Sequence, residues 1–71
     1  MDWTDCPLVE VVPGKVSGQP VIRGSRVQAE TVRESAELGE TPAEIAYNYD
    51  LNVNDVLGVL AYVERQKAFT L

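Results

Sequence analysis

Thr41-Pro42-Ala43-Glu44 is the stretch that decides how this chain folds. The Thr41 side chain can accept a hydrogen bond from a free backbone N–H of a helix, and Pro42 suits the first helical position. The Glu44 carboxylate, three residues after Thr41, can return to the Thr41 N–H and complete a capping box. These residues therefore predict that a helix begins at residue 42.

Two further helices are predicted on either side of this one. Upstream, helix-forming residues begin near Ala29, and Gly39 occupies the position of a left-handed C-cap. The apolar stripe of this first helix is assigned to Val32, Ala36 and Leu38. Downstream, Asn52 is a second N-cap candidate, with Asp55 three positions on, and predicts a long helix from about Val53 to Ala68.

The second and third helices together have the outline of a helix-turn-helix. A small residue, Ala46, falls where two helices must approach closely, and Asp50 occupies the turn position where Gly is usual. The apolar positions of the unit are Ile45, Tyr49, Leu51, Val56 and Val59. Any three-helix core needs a similar spacing, so a working DNA-binding motif and a plain bundle both stay open.

The first 28 residues predict a β-arm. Residues 8–12 are rich in Val and end at Pro13-Gly14, and a second short apolar stretch, Val21-Ile22, is bounded by turn residues. Two strands alone are unstable in water and must pack on helices or on another chain. The prediction is one α+β domain, mainly α, over residues 1–71, with a β-arm or hairpin in residues 1–28 and a helix-turn-helix-like three-helix bundle in residues 29–71.

Composition restricts the class of function. The 71 residues include one cysteine, Cys6, and no histidine, and the net charge is -5. Because Cys6 is alone and histidine is missing, neither a disulfide nor a Cys/His zinc site can form within one chain. Cys6 itself is assigned to a polar N-terminal lead. We expect no enzyme, metal or cofactor, since the commonest general base is missing. A small core favours a homodimer, and the lack of a signal peptide or a ~20-residue apolar span favours the cytoplasm.

Residues 18–27, Gly-Gln-Pro-Val-Ile-Arg-Gly-Ser-Arg-Val, resemble the signature Gly-(Lys/Arg)-Pro-(Val/Cys)-Ile-Arg-Gly-Thr-Arg-Ile of the family catalogued as domain of unknown function number 433. Residues 39–45 and 49–56 resemble two further motifs of that family, and the resemblance runs from about Leu8 to Tyr62. It implies a VapB-type antitoxin that pairs with a PIN-like nuclease toxin and has a homeodomain-like helical bundle after its β-arm. Gln19 and Ser25 depart from the signature, and Gln19 removes a positive charge from the arm.

The basic residues supply the first candidate site. Arg23 and Arg26 flank Gly24-Ser25, and Lys15 and Arg33 are expected to lie near them. Arginine forks suit phosphates or the carboxylates of a partner. The alternative is that both arginines form ion pairs or bond to loop carbonyls and so fix the arm in place.

The third helix supplies the second candidate site. Its start lacks Lys and Arg, which suits a major groove poorly, and Asn52 is expected to cap the helix rather than to contact bases. Its apolar coat is wider than one buried stripe requires, which predicts a dimer or toxin interface formed by Leu57, Leu60, Tyr62, Val63 and Phe69. A fully wrapped helix inside one monomer is the alternative.

Near the carboxyl end of the sequence, Arg65 and Lys67 are candidates for the acidic cleft of a nuclease toxin. Their alternative role is to stabilise the helix end by interacting with its dipole. The sequence as a whole predicts a dimeric, antitoxin-like binding module that pairs with a PIN-like toxin and contacts operator DNA within that complex. A free-standing helix-turn-helix transcription regulator and a small dimeric scaffold without a nucleic-acid role are the alternatives.

Overall fold

The computed structural model of the protein describes residues 2–69, without the side chains of residues 68 and 69. Within these residues a two-stranded antiparallel hairpin is followed by three helices, which confirms the predicted α+β, mainly α class. The strands are β1 (Val9–Glu10) and β2 (Val21–Ile22), and a single 3₁₀ turn, Val16–Gly18, lies between them. The helices are α1 (Ala29–Glu37), α2 (Pro42–Asn48) and α3 (Val53–Phe69).

The capping box at the start of α2 has both of its predicted bonds. The Glu44 N–H donates to Thr41 Oγ1 at 3.2 Å, and the Thr41 N–H donates to Glu44 Oε1 at 2.9 Å. The bond from the Thr41 N–H lowers the pKa of the Glu44 carboxyl, so this group is ionised at neutral pH. The boundary at residue 42 is therefore confirmed.

The first helix ends where the sequence predicted, but its apolar stripe does not include Leu38. Gly39 has the left-handed conformation of a C-cap, with φ of 99°. Leu38 is 86% exposed, because two residues beyond Ala36 correspond to about 200° around a helix. Ala29 and Val32 are buried and Ala36 is half-buried, so these three residues form the face of α1 that packs on the core.

The junction between α2 and α3 is a tight turn. Asp50 takes the left-handed conformation, with φ of 55°, at the position where Gly is usual. The Leu51 N–H donates to Ala46 O at 2.8 Å and closes the end of α2. The Asn54 N–H donates to Asn52 Oδ1 at 2.8 Å, so Asn52 does cap α3.

The hairpin packs on the bundle rather than projecting from it. Val9 pairs with Ile22 and Glu10 with Val21, while Val21 also forms a bridge to Gln28 on the other side of β2. Val21 and Ile22 are buried, and Ile22 belongs to the same core cluster as the helices. The largest fully buried side chains are Ile22, Ile45, Val21, Val32, Val56 and Val59.

The N-terminal residues are not the polar lead that the sequence predicted. Trp3 is only 6% exposed and Cys6 only 4%, and both belong to the core. The Trp3 ring stacks on Tyr62 of α3, with ring centroids 5.7 Å apart. Trp3 therefore covers Tyr62, and the other buried side chains of α3 pack in the same core, which favours the wrapped-helix alternative.

Candidate functional site

The arginine turn, residues 22–26, forms the tip of the connection between β2 and α1. The Ser25 N–H donates to Ile22 O at 3.0 Å and closes a four-residue turn. Gly24 stands at the third position of this turn with φ of 75°, a conformation that residues with a Cβ adopt only at a cost. Arg23 takes the second position of this four-residue turn, and Arg26 comes directly after its last residue, Ser25.

The Ser25 hydroxyl fixes the exit of the turn. Ser25 Oγ donates to Ile22 O at 2.8 Å and accepts from the Val27 N–H at 3.1 Å. Both bonds need a hydroxyl group and nothing larger, so the replacement of Thr by Ser in the signature keeps the arrangement. Local hydroxyl-to-backbone bonds of this kind are typical of turns.

Glu10 of β1 holds the turn from the opposite side. Its carboxylate accepts from the Gly24 N–H at 3.1 Å and lies 3.6 Å from the Lys15 Nζ. The Gly24 N–H and the nearby Lys15 and Arg23 charges lower the pKa of the Glu10 carboxyl, so it is ionised at neutral pH. Lys15 thus lies near the arginine turn as predicted, joined to it through Glu10.

The two arginine side chains contribute little to this framework. Both are exposed. The Arg23 side chain makes one long hydrogen bond, from Nη1 to Pro7 O at 3.4 Å, and within residues 2–69 Arg26 makes no hydrogen bond or ion pair. The turn is held by Ser25, Glu10 and backbone bonds, so both guanidinium groups remain available to a ligand.

Arg33, the fourth basic candidate, is in a different situation. It lies on α1, where its guanidinium is 2.6 Å from Glu30 and 2.7 Å from Glu37. Hydrogen bonding to Glu30 raises the pKa of Arg33, although partial burial opposes this shift. The structure therefore holds Arg33 between two carboxylates of its own helix and does not add it to the turn.

The predicted interface on α3 is divided between core and surface. Tyr62 and Val63 are buried inside the chain, at 5% and 4% exposure, and offer no area to a partner while the chain is folded. Leu60 is half-buried against the core, and Leu57 is 49% exposed. The side chain of Phe69 lies outside the described residues.

The two toxin-cleft candidates both have neighbours on α3. Arg65 lies over the Tyr62 ring, 6.0 Å from its centroid, and Lys67 is 3.8 Å from Glu64. Both side chains remain exposed to solvent, where such contacts are weak. Neither residue is near enough to the arginine turn to make a described contact with it.

Sequence reasoning missed the residues that build the site. Glu10 could have been noticed as the single acid within a run of valines, and Ser25 as the hydroxyl that the family signature retains.

Within residues 2–69, no group of three or more Cys, Asp or Glu side chains is close enough together to hold a metal ion. In the same part of the chain, no helix has the length and apolar character needed to cross a membrane.

A family comparison agrees with the motif that contains the turn. The profile of DUF433, described as a protein of unknown function, matches residues 9–63. The chain belongs to the DUF433 family. No curated protein matches it. The fold is similar to the 2.00 Å crystal structure of a DUF433 member protein from Anabaena variabilis ATCC 29413, with a TM-score of 0.67 and 26% identity. That match covers 86% of this chain and 61% of the Anabaena protein.

Proposed function

We propose that this DUF433 protein is a non-catalytic, antitoxin-like binding module that pairs with a PIN-like nuclease toxin. Arg23 and Arg26 bind carboxylates of the toxin, and the complex then contacts operator DNA. The observation that supports this proposal best is the arginine turn, whose backbone is fixed by Ser25 and Glu10 while its two guanidinium groups stay exposed. The fixed backbone means that binding has to order only the two arginine side chains and not the loop that carries them.

The chemistry of the turn suits an acidic protein surface. An arginine fork can donate two parallel hydrogen bonds to one carboxylate, which is stronger and more directional than the point charge of a lysine. A nuclease that holds metal ions with Asp and Glu side chains offers several such carboxylates in one cleft. Two arginines three residues apart, Arg23 and Arg26, match a clustered target better than a single acid.

Direct binding of DNA by the isolated protein is less well supported. The net charge of -5 opposes approach to phosphates. Asn52 caps α3, and Val53 in the first turn of this helix is 40% exposed. Within α3, Arg65 is the first basic residue. This surface lacks the side chains that usually read base edges.

The experiment measures binding to the protein encoded by the adjacent reading frame, using the double variant Arg23→Gln/Arg26→Gln. We expect a loss of about 100-fold or more in affinity by calorimetry, since charge-paired interface residues typically contribute about 2–5 kcal/mol. The double variant Arg65→Gln/Lys67→Gln is the matched control, because it also removes two positive charges but does so at the end of α3. Its affinity should change by less than about fivefold.

Two outcomes would contradict the proposal. A larger loss in the α3 variant than in the turn variant would move the site to Arg65 and Lys67. Tight, sequence-selective DNA binding by the protein alone at physiological salt would instead favour the free-standing transcription regulator, and a fluorescence anisotropy titration against the upstream DNA at several salt concentrations tests this.

A further inference from the structure

The arginine turn already holds a carboxylate of its own chain. Glu10 Oε2 accepts from the Gly24 N–H at 3.1 Å and lies 3.6 Å from the Lys15 Nζ. The Lys15 side chain is 27% exposed and that of Glu10 30%, so water screens this ion pair less than it screens a fully exposed one. The inner side of the turn is therefore occupied by an anion before any ligand binds.

Lys15 is placed beside Glu10 by the loop between the two strands. Its N–H donates to Val12 O at 3.0 Å, and its carbonyl oxygen accepts from the Gly18 N–H at 3.0 Å. Val16, the next residue, has a left-handed backbone with φ of 50°, which a β-branched residue adopts only at a cost. The pairing of Lys15 with Glu10 therefore depends on a loop with a defined backbone as well as on the flexible lysine side chain.

Holding the backbone of the turn does not by itself require a negative charge. The Gly24 N–H is a neutral donor, and the amide oxygen of a glutamine could accept its hydrogen bond as the Glu10 carboxylate does. What the carboxylate adds is one negative charge beside three positive ones, those of Lys15, Arg23 and Arg26. The charge of Glu10 therefore acts mainly on what the turn can bind.

We propose that Glu10 determines the specificity of the arginine turn by excluding the phosphates of nucleic acid. Duplex DNA has one negative charge for about every 1.7 Å of its axis, so phosphates next to the one that an arginine contacts come close to Glu10 as well. A carboxylate on a protein can instead reach the outward guanidinium groups of Arg23 and Arg26 without bringing a row of further charges. The inference rests on the proposed function, in which these two arginines serve a protein partner.

Glu10 weakens the binding of phosphates in two ways. Its carboxylate repels a phosphate that lies beside the turn, and Lys15 can neutralise a phosphate only after it has left its ion pair with Glu10. Specificity of this kind comes from a group that opposes the wrong ligand and not from an added contact to the right one. Contact between the toxin complex and operator DNA then requires a surface other than the turn.

The experiment removes the charge of Glu10 and keeps a hydrogen-bond acceptor for Gly24. Glu10→Gln should bind a random-sequence DNA duplex of about 20 base pairs about five- to tenfold more tightly than the unmodified protein at ~50 mM salt, because Lys15 becomes available to a phosphate. The plot of log affinity against log salt concentration should become steeper by about 1. Fluorescence anisotropy of the labelled duplex measures both quantities, and urea denaturation checks that Glu10→Gln is folded.

Two further variants test whether the gain arises at the turn. Glu64→Gln is the matched control, because Glu64 lies 3.8 Å from Lys67 at the end of α3, and its affinity for the duplex should change by less than about twofold. Lys15→Gln should remove most of the gain when it is combined with Glu10→Gln. On its own it should change the affinity by less than about twofold, since Glu10 already neutralises the Lys15 charge.

Three results would overturn the proposal: equal gains in Glu10→Gln and Glu64→Gln, an unchanged salt dependence in Glu10→Gln, or a loss above about fivefold in Lys15→Gln alone. The last of these needs no change at Glu10, so it holds whether or not Glu10→Gln folds. A variant that only loosened the turn would not add a neutralised phosphate, so the salt dependence separates charge from structure. No toxin enters these measurements, and their failure would therefore leave the proposed toxin pairing untouched.

Discussion

The N-terminal segment, residues 2–8, and the arginine turn are neighbours with opposite uses for their side chains. They are joined by the Arg23 N–H, which donates to Leu8 O at 2.9 Å. The turn is fixed by backbone bonds and by Ser25 and Glu10, so Arg23 and Arg26 extend into solvent. The segment has few backbone bonds to the rest of the chain and is held by its buried side chains. The difference teaches that the arginine side chains of the turn can serve a partner because Ser25, Glu10 and backbone bonds already fix its backbone. The buried side chains of the segment cannot, because they themselves hold it in place.

The largest expected effect lies in the segment. Trp3→Ala removes the stack on Tyr62 and the bond to Glu30 and leaves a cavity between α1 and α3. We expect a loss of about 3–5 kcal/mol in the free energy of unfolding, which is much of what so small a domain possesses. Urea denaturation followed by circular dichroism measures it.

Thr4→Ala is the control for this prediction, because Thr4 is exposed and its hydrogen bonds go to the equally exposed Asp2 carboxylate. Its free energy of unfolding should match that of the unmodified protein. A loss below about 1 kcal/mol in Trp3→Ala would show that the segment covers the core without stabilising it, and the comparison with the turn would fail.

The two regions also differ in how far the sequence predicted them. The helix boundaries followed from local signals, since the capping box at Thr41 and the C-cap at Gly39 each need only a few adjacent residues. The family signature pointed to the turn. The burial of Trp3 could not be predicted in this way, because it depends on Tyr62 and Glu30, which are distant in sequence and face the same groove only after folding.

The same reason explains why the predicted interface on α3 was only partly accessible. An apolar coat on one helix indicates that several neighbours exist, but not which ones. Asp2, Thr4 and Asp5 make the composition of residues 2–8 polar, and composition alone does not predict that Trp3 packs on Tyr62. Composition averages over a segment, whereas two buried side chains, Trp3 and Cys6, decide where it packs.

A medium-sized effect is expected at Ser25, which lies in the turn but serves the fold. Ser25→Ala removes two hydrogen bonds, to Ile22 O and from the Val27 N–H. In a half-buried position this should cost about 1–2 kcal/mol of unfolding free energy. Ser25→Thr keeps the hydroxyl, matches the family signature and should be nearly neutral by urea titration. Equal losses in both variants would show that the space around Ser25, and not its hydroxyl, matters.

A smaller effect is expected when Glu30 is protonated. Partial burial raises its pKa, but the bonds from Arg33 and Trp3 outweigh burial, and the pKa of Glu30 lies below its usual 4.5. Because the folded pKa is the lower one, the stabilisation is present above about pH 4.5 and is lost as the pH falls through the folded pKa. Trp3 emission during acid titration should report this loss.

Glu30→Gln is the control for the acid titration, since it cannot titrate at this position. The unmodified protein should lose more stability than Glu30→Gln between about pH 5 and pH 3, and the two curves should approach each other at the acid end. Parallel curves over the whole range would mean that the carboxylate contributes nothing to holding the segment.

The smallest effect on stability is expected for Arg23→Gln/Arg26→Gln, and it is the measurement that could break the comparison most directly. The double variant loses one long bond to Pro7 O and no ion pair that the structure describes. Its unfolding free energy should therefore change by less than about 0.5 kcal/mol, as for ordinary surface substitutions.

Arg33→Gln is the matched arginine control, because it loses two ion pairs along α1, with Glu30 and Glu37. Such helix pairs contribute about 0.2–0.5 kcal/mol each, so one substitution at Arg33 should cost more than two in the turn. If the order is reversed, Arg23 and Arg26 are ties that fix the arm, and the proposed binding site would move from the turn to Arg65 and Lys67.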